Sequence, residues 1–182
     1  TGTYKFEVAG SDILVNWVRI GIGNGNLSSN TVLWNGALAS NSGWTSNIAI
    51  GQIALASNID GWANTAVGLG AMRFATGASF NIAIGQTSLY NNKVGTSNIA
   101  IGVDAWRNLT GWDYNIFIWR SVQPNISTTG SNQLNIGNWI YGNSGSIGIW
   151  VVNPSYMLEV AGTGSFYGLR VSSGASAGKV LT

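Results

Sequence analysis

The chain has 182 residues, of which 8% are charged and 45% hydrophobic, with a net charge of +2 and no Cys or His. This composition argues against a disordered polyampholyte and excludes disulfides, thiol chemistry and every His-based triad or common zinc site. The basic residues (Lys5, Arg19, Arg73, Lys93, Arg107, Arg120, Arg170, Lys179) are scattered rather than clustered on a stripe, which argues against a nucleic-acid partner; no apolar run reaches the ~18–20 residues of a membrane helix, so no membrane insertion is expected.

In chain order, residues 1–23 read as an N-terminal β flank, the end of a preceding module plus an entry cap. Tyr4-Lys5-Phe6-Glu7-Val8-Ala9-Gly10 and Ile20-Gly21-Ile22-Gly23 alternate as short strands do. The first residue is not an initiator and residues 178–182 carry no stop-like tail, so we expect an excerpt of a longer protein.

Residues 24–137 form a repeat. Asn30, Asn47, Asn64, Asn81, Asn98, Asn115 and Asn132 recur at a constant spacing with no insertion. The triplets that follow run from Thr31-Val32-Leu33 through Ile48-Ala49-Ile50, Thr65-Ala66-Val67, Ile82-Ala83-Ile84 and Ile99-Ala100-Ile101 to Ile116-Phe117-Ile118. A Gly column comes next (Gly51, Gly68, Gly85, Gly102), and then an apolar one (Leu38, Leu55, Met72, Leu89, Trp106). A fixed short period without insertions means stacked coils, because one extra residue would throw its whole column out of register. The unit is too short for a helical pair, which takes ~33–47 residues, and suits two short strands and two turns.

The predicted fold is therefore all-β: a parallel β-roll or β-solenoid of 17-residue coils with short β flanks, as an intertwined or side-by-side homotrimer. The Asn column is expected to form a hydrogen-bonded ladder, and the Gly column to mark positive φ or a close approach. The core is expected to hold Ile48, Ile50, Val67, Ile82, Ile84, Ile99, Ile101, Ile116 and Ile118, with Leu38, Leu55, Met72 and Leu89. The middle Ala of each triplet is then expected to face outward and let another chain approach. So small an interior is marginal alone, which favours an oligomer.

Residues 138–182 read as a C-terminal β flank and linker to a following module. Ile147-Gly148-Ile149-Trp150 matches Ile20 to Gly23, and Tyr156-Met157-Leu158-Glu159-Val160-Ala161-Gly162 matches Tyr4 to Gly10. The recurring Asn-Ile-Ala-Ile-Gly with a following Ala-Leu resembles the head repeats of trimeric autotransporter adhesins and the repeat regions of phage tail fibres. The stretch from Asn153 to Gly162 resembles the segment that often follows such repeats. The resemblance spans about residues 18–182 and implies a parallel β-roll or β-solenoid trimer in an extracellular, cell-surface or virion fibre. The unit is longer than the adhesin head repeat, which leaves the strand layout open.

Nine Trp residues in a Gly-rich repeat need an account. Trp34 and Trp119 fall in the Gly51 column, Trp44 and Trp112 share a turn column with Gly61 and Gly95, and Trp150 stands where Gly23 stands in the flanking motif. Three explanations compete: an exposed aromatic array that binds sugars or a surface, rings that fill gaps between chains or cap the roll, and a UGA codon meaning glycine in the source but read as tryptophan. Trp106, in the Leu column, is a natural core residue.

No catalytic constellation, cofactor site or metal site emerges. Asp104 and Asp113 are the acids best placed to pair as a glycosidase would require, but fall in different columns; solvated turn acids are the plainer reading. The leading expectation is a non-enzymatic structural and adhesive fibre segment whose partner is itself, with a surface glycan or receptor beyond. The alternatives are a carbohydrate-binding module using exposed aromatics and, third, a tailspike-type glycosidase.

Overall fold

A computed structural model describes residues 13–162, apart from 17, 24–28, 44, 109, 123–129 and 144. The described residues form strands and turns with no helix, in one 12-stranded sheet whose spatial order is the chain order. The strands are β1 (Ile13–Val15), β2 (Val18–Gly21), β3 (Thr31–Leu33), β4 (Ile48–Ile50), β5 (Thr65–Val67), β6 (Ile82–Ile84), β7 (Ile99–Ile101), β8 (Ile116–Ile118), β9 (Gln133–Ile136), β10 (Ile140–Asn143), β11 (Ser146–Ile149) and β12 (Leu158–Val160). From β3 to β9 all neighbours are parallel, so the chain circles once between strands and forms a β-solenoid of about six coils. The β1–β2 hairpin joins β3 antiparallel at one end; β10 and β11 add antiparallel strands at the other, and β12 pairs parallel with β11. The Tyr4–Gly10 motif lies outside the described residues.

Each coil holds one three-residue strand, not two. The wall opposite the strands is also hydrogen bonded coil to coil, but from turn conformations: the Leu55 amide donates to Ala71 O at 3.0 Å, and that of Met72 to Ser88 O at 2.9 Å. Here Leu38, Leu55, Met72, Leu89 and Trp106 adopt φ of 50°, 50°, 50°, 46° and 37°. That left-handed corner costs about 1–2 kcal/mol per residue, and turns the side chain inward. Burying a Leu or Met contributes roughly 1.5–3 kcal/mol, which offsets the cost.

The inward faces are the reverse of the sequence expectation. The middle residues Val32, Ala49, Ala66, Ala83, Ala100 and Phe117 are buried, whereas Ile48, Ile82, Ile84, Ile101 and Ile116 are exposed and Ile50, Val67, Ile99 and Ile118 half-buried on the outside. The reason is volume. The coil is thin, and Leu38, Leu55, Met72 and Leu89 reach in from the opposite wall and are themselves fully buried. Facing Leu55, Met72 and Leu89 there is room for little more than a Cβ, so Ala lies inside and the pleat sends the two outer residues of each triplet out; the first coil buries Val32 together with Leu38. Near the end of the stack the pattern changes: Trp106 and Phe117 are both buried and pack at a ring separation of 4.0 Å, closing the core with aromatics.

Candidate functional site

The outward face of the sheet is the feature that most needs a role. Residues paired directly across strands share a face, so the register traces columns along the whole sheet. One column runs Ile13, Ile20, Leu33, Ile50, Val67, Ile84, Ile101, Ile118, Ile136, Ile140, Ile149, Val160: one aliphatic residue from every strand. Beside it, two residues back on β3 to β9, runs Thr31, Ile48, Thr65, Ile82, Ile99, Ile116, Leu134, Gly142, Ile147, Leu158. Neither column contains a charge, and only Thr31, Thr65 and Gly142 interrupt the aliphatic sequence. A shallow depression of about 340 Å³ beside Gly142 is lined by Ile116, Leu134 and Ile147 among others. At ~4.8 Å per strand the face is about 50 Å long.

Behind this face the Asn column holds the coils in register. The Asn64, Asn81, Asn98 and Asn115 amides donate to the Oδ1 of the preceding Asn at 3.1, 3.0, 2.9 and 3.0 Å, and their Nδ2 groups donate to the same oxygen. Asn30 begins the ladder by accepting from the Asn47 amide at 2.9 Å. Nδ2 of Asn47, Asn64 and Asn81 also donates to the carbonyls of Gly61, Ala78 and Gly95, three residues before the next Asn, so each coil is tied to a turn of the following one. Asn132 is not part of this ladder. One extra residue lies between β8 and β9, so Ile116 pairs with Leu134, Gln133 takes the ladder position with its amide 2.9 Å from Asn115 Oδ1, and Asn132 is left exposed in a turn.

A second Asn column escaped the sequence reading although its spacing was legible. Asn41, Asn58 and Asn92 are buried at the other turn, with Ala75 in the same register. Asn58 Nδ2 donates to Asn41 Oδ1 at 3.0 Å and to Gly61 O at 2.8 Å; Asn92 makes the matching bond to Gly95 at 3.0 Å. The signal was masked because Ala75 breaks the column and the first Asn column is longer.

The Gly column is a place of close approach. A Cβ on Gly51, Gly68, Gly85 or Gly102 would sit 2.7, 2.5, 2.3 or 2.4 Å from the carbonyl oxygen of the following coil, and these glycines have φ of 122°, 133°, 132° and 135°. Trp34 and Trp119 continue the column. Trp119 begins an exposed indole row with Trp139 and Trp150, whose ring centroids are 6.0 and 6.2 Å apart in succession. Trp112 is partly buried against the core, and Trp44 lies outside the described residues. Asp104 and Asp113 are each engaged with the preceding coil: Asp104 accepts from Thr87 Oγ1 and lies 3.8 Å from Arg107, and Asp113 accepts from the Thr96 amide at 2.6 Å and its hydroxyl at 3.0 Å. Among the described residues no group of three acids could hold a metal ion, and no helix is long and apolar enough to cross a membrane.

No protein-family model, curated protein or solved structure matches the chain.

Proposed function

We propose that this chain is a structural and adhesive segment of an extracellular fibre, on a cell surface or a virion, and that three parallel copies associate through the outward aliphatic face. The observation that carries the reading is the column of one aliphatic residue from each of the twelve strands, flanked by a second column free of charge. The face leaves Ile20, Ile48, Ile82, Ile84, Ile101, Ile116, Ile147 and Leu158 exposed in one strip, whereas a monomer keeps its contiguous apolar patches to about a few hundred Å². Covering it contributes about 25 cal/mol for each Å² of apolar surface removed from water, the term that offsets the ~4–15 kcal/mol that association costs. A face this long and narrow, parallel to the stacking axis, suits copies lying side by side about a common axis. The product is a stiff rod that holds a terminal or lateral binding surface away from its base, and three chains multiply weak contacts with a surface glycan or receptor.

Light scattering on the purified chain tests this, with three times the chain mass as the expected result. Ile84→Glu with Ile101→Glu places charges in the middle of the face and should yield a monomer whose circular dichroism is unchanged, because neither side chain is in the core. A monodisperse wild-type monomer, or a charged variant that stays assembled, refutes the reading. The alternative of a carbohydrate-binding module draws on the Trp119, Trp139, Trp150 row, since side-by-side rings offer a sugar a stacking platform; binding on a glycan array that disappears in Trp139→Ala favours it.

A further inference from the structure

We infer that the natural chain carries glycine at positions 34 and 119, the codon at each being UGA and its meaning in the source organism glycine. The inference rests on backbone geometry and stands apart from the fibre reading.

Positive φ alone is no argument in this fold, where many non-glycine residues show it. Its distribution is the argument. Apart from Trp34 and Trp119, every described non-glycine residue with positive φ lies between 37° and 66°, the left-handed well that L residues can visit. Trp34 lies at 114° and Trp119 at 142°, beyond that well, in a region open in practice to glycine alone. Both continue the column of Gly51, Gly68, Gly85 and Gly102, whose φ values run from 122° to 135°. Two bulky residues therefore share one backbone state with four glycines and with no other residue type in the column. The tight packing of that column points the same way, since a Cβ at any of its glycines would meet the next coil's carbonyl oxygen.

The same criteria separate tryptophans that belong. Trp106 has φ of 37°, sits in the Leu column, is 2% exposed and packs on Phe117; glycine there would empty the end of the core, so its codon should be UGG. Trp150 has φ of 60°, within the ordinary well, and geometry does not assign it. With glycine at 119 the indole row loses its first member, which weakens the sugar-platform alternative in the natural protein.

The decisive measurement is peptide mass spectrometry on protein isolated from its natural source. Peptides spanning 34 and 119 should each be lighter than the tryptophan form by the difference between an indolylmethyl group and a hydrogen, while the peptide spanning 106 retains tryptophan. Tryptophan at 34 or 119 in that material, or UGG at either codon, overturns the inference. Recombinant variants give a second measurement. Trp34→Gly and Trp119→Gly should each raise the folding equilibrium constant about tenfold by relieving a strained backbone, whereas Trp106→Gly should lower it by a larger factor. If the first two variants are no more stable than the parent, the geometric argument fails.

Discussion

Replacing Ala75 by Asn would complete the second Asn column, yet the change should fail alone and succeed only together with Ala78→Gly. Asn58 Oδ1 is buried with no hydrogen-bond partner, because Ala75 offers no amide where Asn58 itself offers one to Asn41 at 3.0 Å. Ala75→Asn supplies that donor, and satisfying a buried acceptor is worth about 1–3 kcal/mol. The obstacle is three residues on. At Gly61 and Gly95 a Cβ would lie 2.3 and 2.5 Å from the Oδ1 of Asn58 and Asn92; Ala78, which follows Ala75 at the same offset, already carries that Cβ. The new amide oxygen would strike it, and overpacking of this kind costs about 1–3 kcal/mol. Removing the Cβ with Ala78→Gly costs about 0.5–1 kcal/mol in backbone entropy. The single variants should therefore each be neutral or destabilised, the double variant about 1 kcal/mol more stable than the parent, and the coupling roughly 1–3 kcal/mol, the overpacking that is relieved. Urea unfolding followed by circular dichroism at one protein concentration measures all four corners of the cycle. Additivity within about 0.5 kcal/mol would show that Asn column and turn glycine are not linked.

Three further outcomes follow from the same geometry. Asn81→Leu strips its Nδ2 bonds to Asn64, Ser79 and Gly95 and orphans the Asn98 amide; a loss of about 3–5 kcal/mol is expected by denaturant titration, given ~1–3 kcal/mol for each buried polar group left unpaired. Gly68→Ala meets both a φ of 133° and a carbonyl oxygen at 2.5 Å, so it should destabilise by about 3 kcal/mol or more on the sum of backbone strain and overpacking. Leu55→Ala should cost about 2–5 kcal/mol whether or not the chain is assembled, whereas Ile84→Ala in the Ile101→Glu background should cost under about 1 kcal/mol, as surface changes do; equal losses at the two sites would overturn the assignment of inner and outer faces.

How much of this was legible in advance depends on whether a feature is a matter of spacing or of volume. The recurrence of Asn47, Asn64, Asn81, Asn98 and Asn115 and of the triplets after them required stacked strands, since only stacking turns a constant spacing along the chain into neighbours in space, and the one-strand step from Thr31 to Ile48 is that spacing made physical. The glycine column was equally readable, because glycine is demanded by backbone sterics that act locally. Which face of each triplet points inward was decided only by tertiary packing. Alternation divides Ile48 and Ile50 from Ala49 but does not say which set is buried; the leucines of the far wall occupy the interior first and leave room for nothing larger than a methyl. The drift after Asn132 was legible, since Leu134-Asn135-Ile136-Gly137 stands one residue late for the triplet and its glycine, but only the hydrogen bond to Asn115 shows that Gln133 takes the ladder position in place of Asn132. The aliphatic column that runs through every strand exists only in the register, since its members in the flanks follow no repeat and are aligned by antiparallel pairing alone.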